Sequence, residues 1–135
     1  MQEPLKILIA DRNRHVREFL QREFTACGYA VDVAGDGREV LSKLAHPPDL
    51  LILDLEIPLI DGMQLLEVLR TSIPRLPVII HSFLEEHLNQ PLLSSAAALV
   101  EKAGDTDCLK RTVSDVMQQY YPEMFVSSAG PALPG

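Results

Sequence analysis

Short apolar runs alternate along the chain with stretches whose apolar residues recur every three or four positions. Leu5 to Ala10 (LKILIA), Asp49 to Leu53 (DLLIL), Pro77 to Ile80 (PVII) and Ala96 to Val100 (AAALV) are near-continuous and short, which predicts parallel strands covered on both faces. Val16, Phe19, Leu20, Phe24 and Cys27 fall on one helical stripe, and Gly28 predicts where that helix stops. Tyr29 to Val33 predicts another strand after it. Gly35-Asp36-Gly37 reads as a turn leading into a short helix, marked by Val40, Leu41 and Leu44 and closed before Pro47-Pro48. Met63, Leu65, Leu66 and Leu69 predict a helix entered through Asp61-Gly62. Cys108, Leu109, Thr112, Val113, Val116, Met117 and Tyr120 predict the last helix, with Asp105 or Thr106 as its cap and Pro122 as its end.

Alternating strand and helix, with every strand apolar on both faces, predicts an α/β fold: a doubly wound five-stranded parallel sheet with helices on both faces. Leu84 to Ser95 breaks the rhythm, because Pro91 and the short length leave an abbreviated or irregular fourth helix. Its polar run Glu85-Glu86-His87 reads as a solvated face. From Pro122 to Gly135 the chain is rich in Ser, Ala, Pro and Gly, so 122–135 reads as a flexible tail or linker behind a domain over 1–121.

Length and charge narrow the function. The 135 residues fit one domain. A formal charge of -7 disfavours a direct nucleic-acid partner, since a phosphate backbone would be repelled over most of the surface. No apolar run approaches the ~20 residues needed to cross a bilayer, and Met1 to Pro4 does not open a signal segment, so the expectation is a cytoplasmic protein without membrane contact. Cys27 and Cys108 form no CxxC pair and no metal cluster with the histidines; they read as small buried hydrophobes. They are expected at opposite sheet edges, beyond disulfide reach.

In a doubly wound sheet, ligands sit outside the carboxyl ends of the strands. Here the first strand ends in Asp11-Arg12, the third in Asp54, the fourth in Ser82 after His81, and the fifth in Glu101-Lys102. Two carboxylates, a hydroxyl and an ammonium are therefore expected to converge in a shallow acidic pocket centred on Asp54.

At these residues the chain resembles the receiver domain of two-component response regulators, the flavodoxin-like, CheY-like fold with strand order 2-1-3-4-5. KILIAD followed by NRHVREFL resembles the family's first strand and helix, LLILDLEIPLIDG its acceptor segment, PVIIHS its hydroxyl position and LVEK its lysine; the likeness runs from about Leu5 to Tyr121. It implies that Asp54 accepts a phosphoryl group from a histidine kinase or phosphotransfer protein, and that this switches binding to a downstream protein target. A homodimer stays open. Phosphoryl transfer spreads negative charge over three equatorial oxygens, so such a site needs cations and donors. The resemblance gives these roles to Lys102, to Ser82 and to Mg²⁺ held by Asp11, Asp54 and the backbone carbonyl of Glu56.

The chain departs from the family at three points. Arg12 stands where a second acid normally ligates the metal, a change of two charge units. At ~4 Å and an effective dielectric of ~20, each unit is worth about 4 kcal/mol, so Mg²⁺ is expected to bind weakly or not at all if Arg12 points inward. Arg12 either folds in to pair with Asp54 or Asp11, giving a pseudo-receiver that binds partners without phosphorylation, or extends to solvent and leaves a weakened metal site. Leu99 replaces a Tyr or Phe three residues before the lysine, and Ala103 replaces a proline after it. An enzyme is not expected: Asp54-Leu55-Glu56 only loosely resembles the nucleophile motif of haloacid-dehalogenase phosphatases, and GxGxxG and Walker motifs for a nucleotide or flavin carrier are missing.

Overall fold

The computed structural model describes residues 3–87 and 89–125. Five strands, β1 (Lys6–Ala10), β2 (Ala30–Ala34), β3 (Leu50–Leu53), β4 (Val78–Ser82) and β5 (Ala98–Glu101), form one parallel sheet in the order β2-β1-β3-β4-β5. Four helices, α1 (Arg14–Ala26), α2 (Gly37–Lys43), α3 (Gly62–Ser72) and α4 (Thr106–Tyr120), cover its two faces.

The alternation of side chains along each strand divides the core into two layers. On one side Leu8, Leu51, Leu53 and Ile80 meet Val40 of α2 and Leu65, Leu66 and Leu69 of α3. On the other, Ile7, Ile9, Leu50, Ile52 and Ile79 meet Leu20 and Phe24 of α1 and Leu109, Val113 and Met117 of α4. The three central strands are buried on both faces, as their apolar runs require. The edge strands are not: β2 carries an exposed Asp32 paired with Lys43, and in β5 only Val100 is buried.

Local chemistry sets the helix limits. Asn13 caps α1 by accepting from the N–H groups of His15 and Val16, and Gly28, at φ +100°, turns the chain out beyond its end. Asp36 caps α2, Asp61 and Gln64 form a capping box on α3, and Asp105 rather than Thr106 caps α4. The abbreviated fourth helix is two 3-10 turns, Leu84–His87 and Pro91–Ser95, with the proline at the start of the second. Packing continues past Tyr121, whose hydroxyl donates to the Asp49 carbonyl at 2.6 Å, to Phe125, which packs on the α1–α4 layer. The rest of the expected tail, 126–135, lies outside the described residues.

Both cysteines are free, but their setting differs from the expected one. They are exposed rather than buried, Cys27 capping the end of α1 and Cys108 lying in the first turn of α4. Nor do their helices sit apart: α1 and α4 share one face, and Lys110 pairs with Glu23 across them at 2.6 Å.

Candidate functional site

Strand register brings the expected residues to one end of the sheet. The backbone pairing extends one residue beyond the strands: Asp54 N–H donates to the Ala10 carbonyl at 2.9 Å, and Lys102 N–H to the Ser82 carbonyl at 2.8 Å. Asp11, Asp54, Ser82 and Lys102 therefore emerge side by side.

The Asp54 carboxylate is shared between two sets of donors. Its Oδ1 accepts from the Ser82 hydroxyl at 3.1 Å and the Glu56 N–H at 3.0 Å; its Oδ2 accepts from the Lys102 ammonium and the Arg12 N–H, both at 3.3 Å. Ser82 is fixed in turn, because its oxygen accepts the Leu55 N–H at 2.8 Å. Burial pulls the Asp54 pKa upward, but the Glu56 and Arg12 N–H groups and the Lys102 charge outweigh it, so the group is held below the usual carboxylate range. At neutral pH Asp54 is an anion.

Asp11 completes the cluster. Its Oδ2 pairs with Lys102 at 2.8 Å and its Oδ1 accepts the Asn13 N–H at 2.8 Å, while Arg17 donates to its carbonyl at 2.7 Å. Asp11 and Asp54 are 2% and 1% exposed. The expected shallow pocket is thus a buried one, its carboxylates roofed by the Arg12 and Lys102 side chains that neutralise them.

Arg12 follows neither of the two expected courses fully. Its side chain is 48% exposed, yet Nε lies 3.9 Å from Asp54 Oδ2 and Nη1 lies 3.7 Å from Glu56 Oε1. The Glu56 side chain is an addition to the predicted site, as is His87, whose Nε2 lies 3.0 Å from Glu56 Oε2. His87 is half-buried, not part of a solvated face. The ligand atoms of Glu56, Glu86 and His87 lie within 4.8 Å of one another at the rim. Sequence signals for this contact were slight, since it spans 31 positions and depends on how an irregular segment folds.

The loop beneath the site tolerates little change. A Cβ on Gly62 would stand 2.5 Å from Leu55 Cα and 2.9 Å from the Asp54 carbonyl oxygen, so only glycine lets α3 start against the end of β3. Leu59, at φ +73°, bridges a tight turn in which Ile60 N–H donates to the Pro58 carbonyl.

A parallel sheet of this order with an acidic and cationic cluster at its carboxyl ends is the architecture of a phosphorelay receiver. The sequence model of the response regulator receiver domain matches residues 7–114, and the chain belongs to that family. It is 40% identical over 78 residues to the response regulator MprA of Mycolicibacterium vanbaalenii, a match covering 57% of this chain and 34% of that protein. The chain thus matches about a third of the length of this curated relative. The response regulator TrrA of Thermotoga maritima, solved in complex with Mg²⁺ and BeF, superposes with a TM-score of 0.77 at 29% identity, covering 82% of this chain and 97% of that one. TrrA in complex with the histidine kinase ThkA superposes with a TM-score of 0.76 at 29% identity, covering 84% and 98%. Among the described residues, no helix is long and apolar enough to cross a membrane.

The donor set suits a divalent metal poorly. The carboxylates around Asp54 each face a cation of the chain: Asp11 faces Lys102, Asp54 faces Lys102 and Arg12, and Glu56 faces Arg12. Arg12 adds a positive charge at the mouth.

Proposed function

We propose that the chain accepts a phosphoryl group on Asp54 from a histidine kinase or phosphotransfer protein, and that the modified site switches binding to a downstream protein target. The carrying observation is the state of the Asp54 carboxylate: anionic, at the end of a central strand, held by Ser82 on one oxygen and Lys102 on the other. Oδ attacks phosphorus, the bond from phosphorus to the donor breaks, and the leaving group departs with its electron pair. Lys102 neutralises charge on the phosphoryl oxygens, and Ser82 turns its hydroxyl from Asp54 to one of them. Mg²⁺, if held by Asp11, Asp54 and the Glu56 carbonyl, would neutralise charge there as well; the cations already on those carboxylates make its binding weak. The kinase assignment draws support from the ThkA complex of the similar TrrA. The acidic surface speaks against direct contact with nucleic acid.

A second reading, a pseudo-receiver that binds partners without phosphorylation, is favoured by the Arg12 side chain over the carboxylate. Incubation with acetyl phosphate and Mg²⁺ separates the two. The expected result is a mass gain of one phosphoryl group that disappears in Asp54→Asn. If wild type and variant gain the same mass, or neither gains any, Asp54 is not an acceptor.

A further inference from the structure

We infer that Arg12 takes over the work of the metal ion, so that Asp54 is phosphorylated without any divalent cation. This rests on the reading of Asp54 as acceptor and names the group that supplies the positive charge there.

Three observations carry it. The first is position. Arg12 leaves β1 beside Asp11, its own N–H bonds Asp54 Oδ2, and its guanidinium returns over the same oxygen from the solvent side. Ser82 and the Glu56 N–H already occupy Asp54 Oδ1, and Lys102 reaches Oδ2, so the Arg12 guanidinium is the half-exposed cation beside that oxygen.

The second is that the guanidinium is held near but not consumed. Its distances of 3.9 Å to Asp54 and 3.7 Å to Glu56 exceed hydrogen-bond length, and among the described residues no side-chain N–H of Arg12 makes a hydrogen bond. Its planar fork of donors is free to take two phosphoryl oxygens at once, which suits a guanidinium better than an ammonium. By contrast the Lys102 ammonium already lies between two carboxylates, 2.8 Å from Asp11 and 3.3 Å from Asp54.

The third is a support that aims it. Glu56 stands between Arg12 and His87, with its Oε1 facing the guanidinium and its Oε2 bonded to the imidazole. Glu56 and His87 are positioning residues: the Glu56 charge holds Arg12 over the mouth and leaves its donors open, and His87 fixes the Glu56 carboxylate.

The step balances without a co-reactant. With acetyl phosphate, an Asp54 oxygen forms a bond to phosphorus, the bond from phosphorus to the acetate oxygen breaks, and acetate leaves with the electron pair. Arg12 and Lys102 offset the charge on the three equatorial oxygens and transfer no proton.

The test is acetyl phosphate labelling followed by intact-protein mass spectrometry, with EDTA or with Mg²⁺, on wild type, Arg12→Ala and Arg12→Asp. Circular dichroism checks each fold, and Mn²⁺ binding is followed by electron paramagnetic resonance. Wild type is expected to react in EDTA at a rate within about threefold of that in Mg²⁺. Arg12→Ala is expected to lose about 100-fold in EDTA, the loss typical of removing one preorganised charge-stabilising donor. Arg12→Asp is expected to bind Mn²⁺ more tightly than wild type and to need a metal for labelling. Wild-type labelling that requires Mg²⁺, or Arg12→Ala labelling in EDTA as fast as wild type, overturns the inference and leaves the acceptor reading intact. Failure to label Asp54 under every condition removes the acceptor reading and the inference with it.

Discussion

At His81 the sheet buries an imidazole without giving its Nδ1 a partner among the described residues. The ring borders a cavity of about 320 Å³ between the starts of α1 and α4. Burial lowers its pKa, as does the Lys102 charge, while Asp11, Asp54 and Glu101 pull the other way without prevailing. The folded protein therefore binds this proton less readily than the unfolded chain. Its contribution to stability is full above the unfolded histidine value of about 6.5 and is lost as pH falls towards the lower folded value. Urea unfolding midpoints should fall more steeply below about pH 6.5 in wild type than in His81→Leu. Equal slopes would show that another group sets the acid limit. The residues of the site were legible unequally. Asp11, Asp54, Ser82 and Lys102 each follow an apolar run and so announce themselves. Arg12 was visible as a substitution, but its direction was not, because that depends on Glu56 and His87, side chains 44 and 75 positions away in a chain whose long-range packing no local pattern encodes.

At the scale of elements, the loop from β3 into α3 is the tightest constraint on the site. Gly62 lets the first turn of α3 lie against Leu55 and the Asp54 carbonyl, and those neighbours are backbone atoms that cannot swing aside. Gly62→Ala is expected to cost about 1–3 kcal/mol, the usual penalty of forced overpacking. Chemical denaturation measures it, and a loss under half a kilocalorie per mole would mean that the loop can yield. Helices and central strands were legible because their patterns are local: Asp61 and Asp105 sit where helices were read to begin, and the runs in β1, β3 and β4 are long enough to fill both faces, whereas the caps at Asn13 and Asp36 came only from the structure. The edges were not. Asp32 in β2 and Glu101 in β5 point to surface that a central strand does not have, and an apolar run cannot say which strand lies outermost. Leu84–His87 and Pro91–Ser95 settle into 3-10 turns, as expected of a segment with a proline and little room for a full helix.

At the scale of the whole molecule, the strand order came from resemblance rather than periodicity, since short connections fit more than one order. The end of the sheet opposite Asp54 is closed by Asp49, which takes the Lys6 N–H on its side chain and the Tyr121 hydroxyl on its carbonyl. Tyr121→Phe removes only the second bond. A stability loss of about 1 kcal/mol is expected by thermal or urea unfolding, and no loss would mean that the ring alone fastens α4. Phe125, beyond it, packs against the same core layer, as does Leu5. Asp49 and Asp54 flank the four-residue β3, five steps apart in the chain, which sets the Tyr121 end and the Asp54 end about 16 Å apart. Under the proposed function, a modification of Asp54 would be relayed to the Phe125 end by displacement passed from helix to helix, and loosening the α1–α4 layer should weaken that route while leaving the chemistry at the far pole untouched.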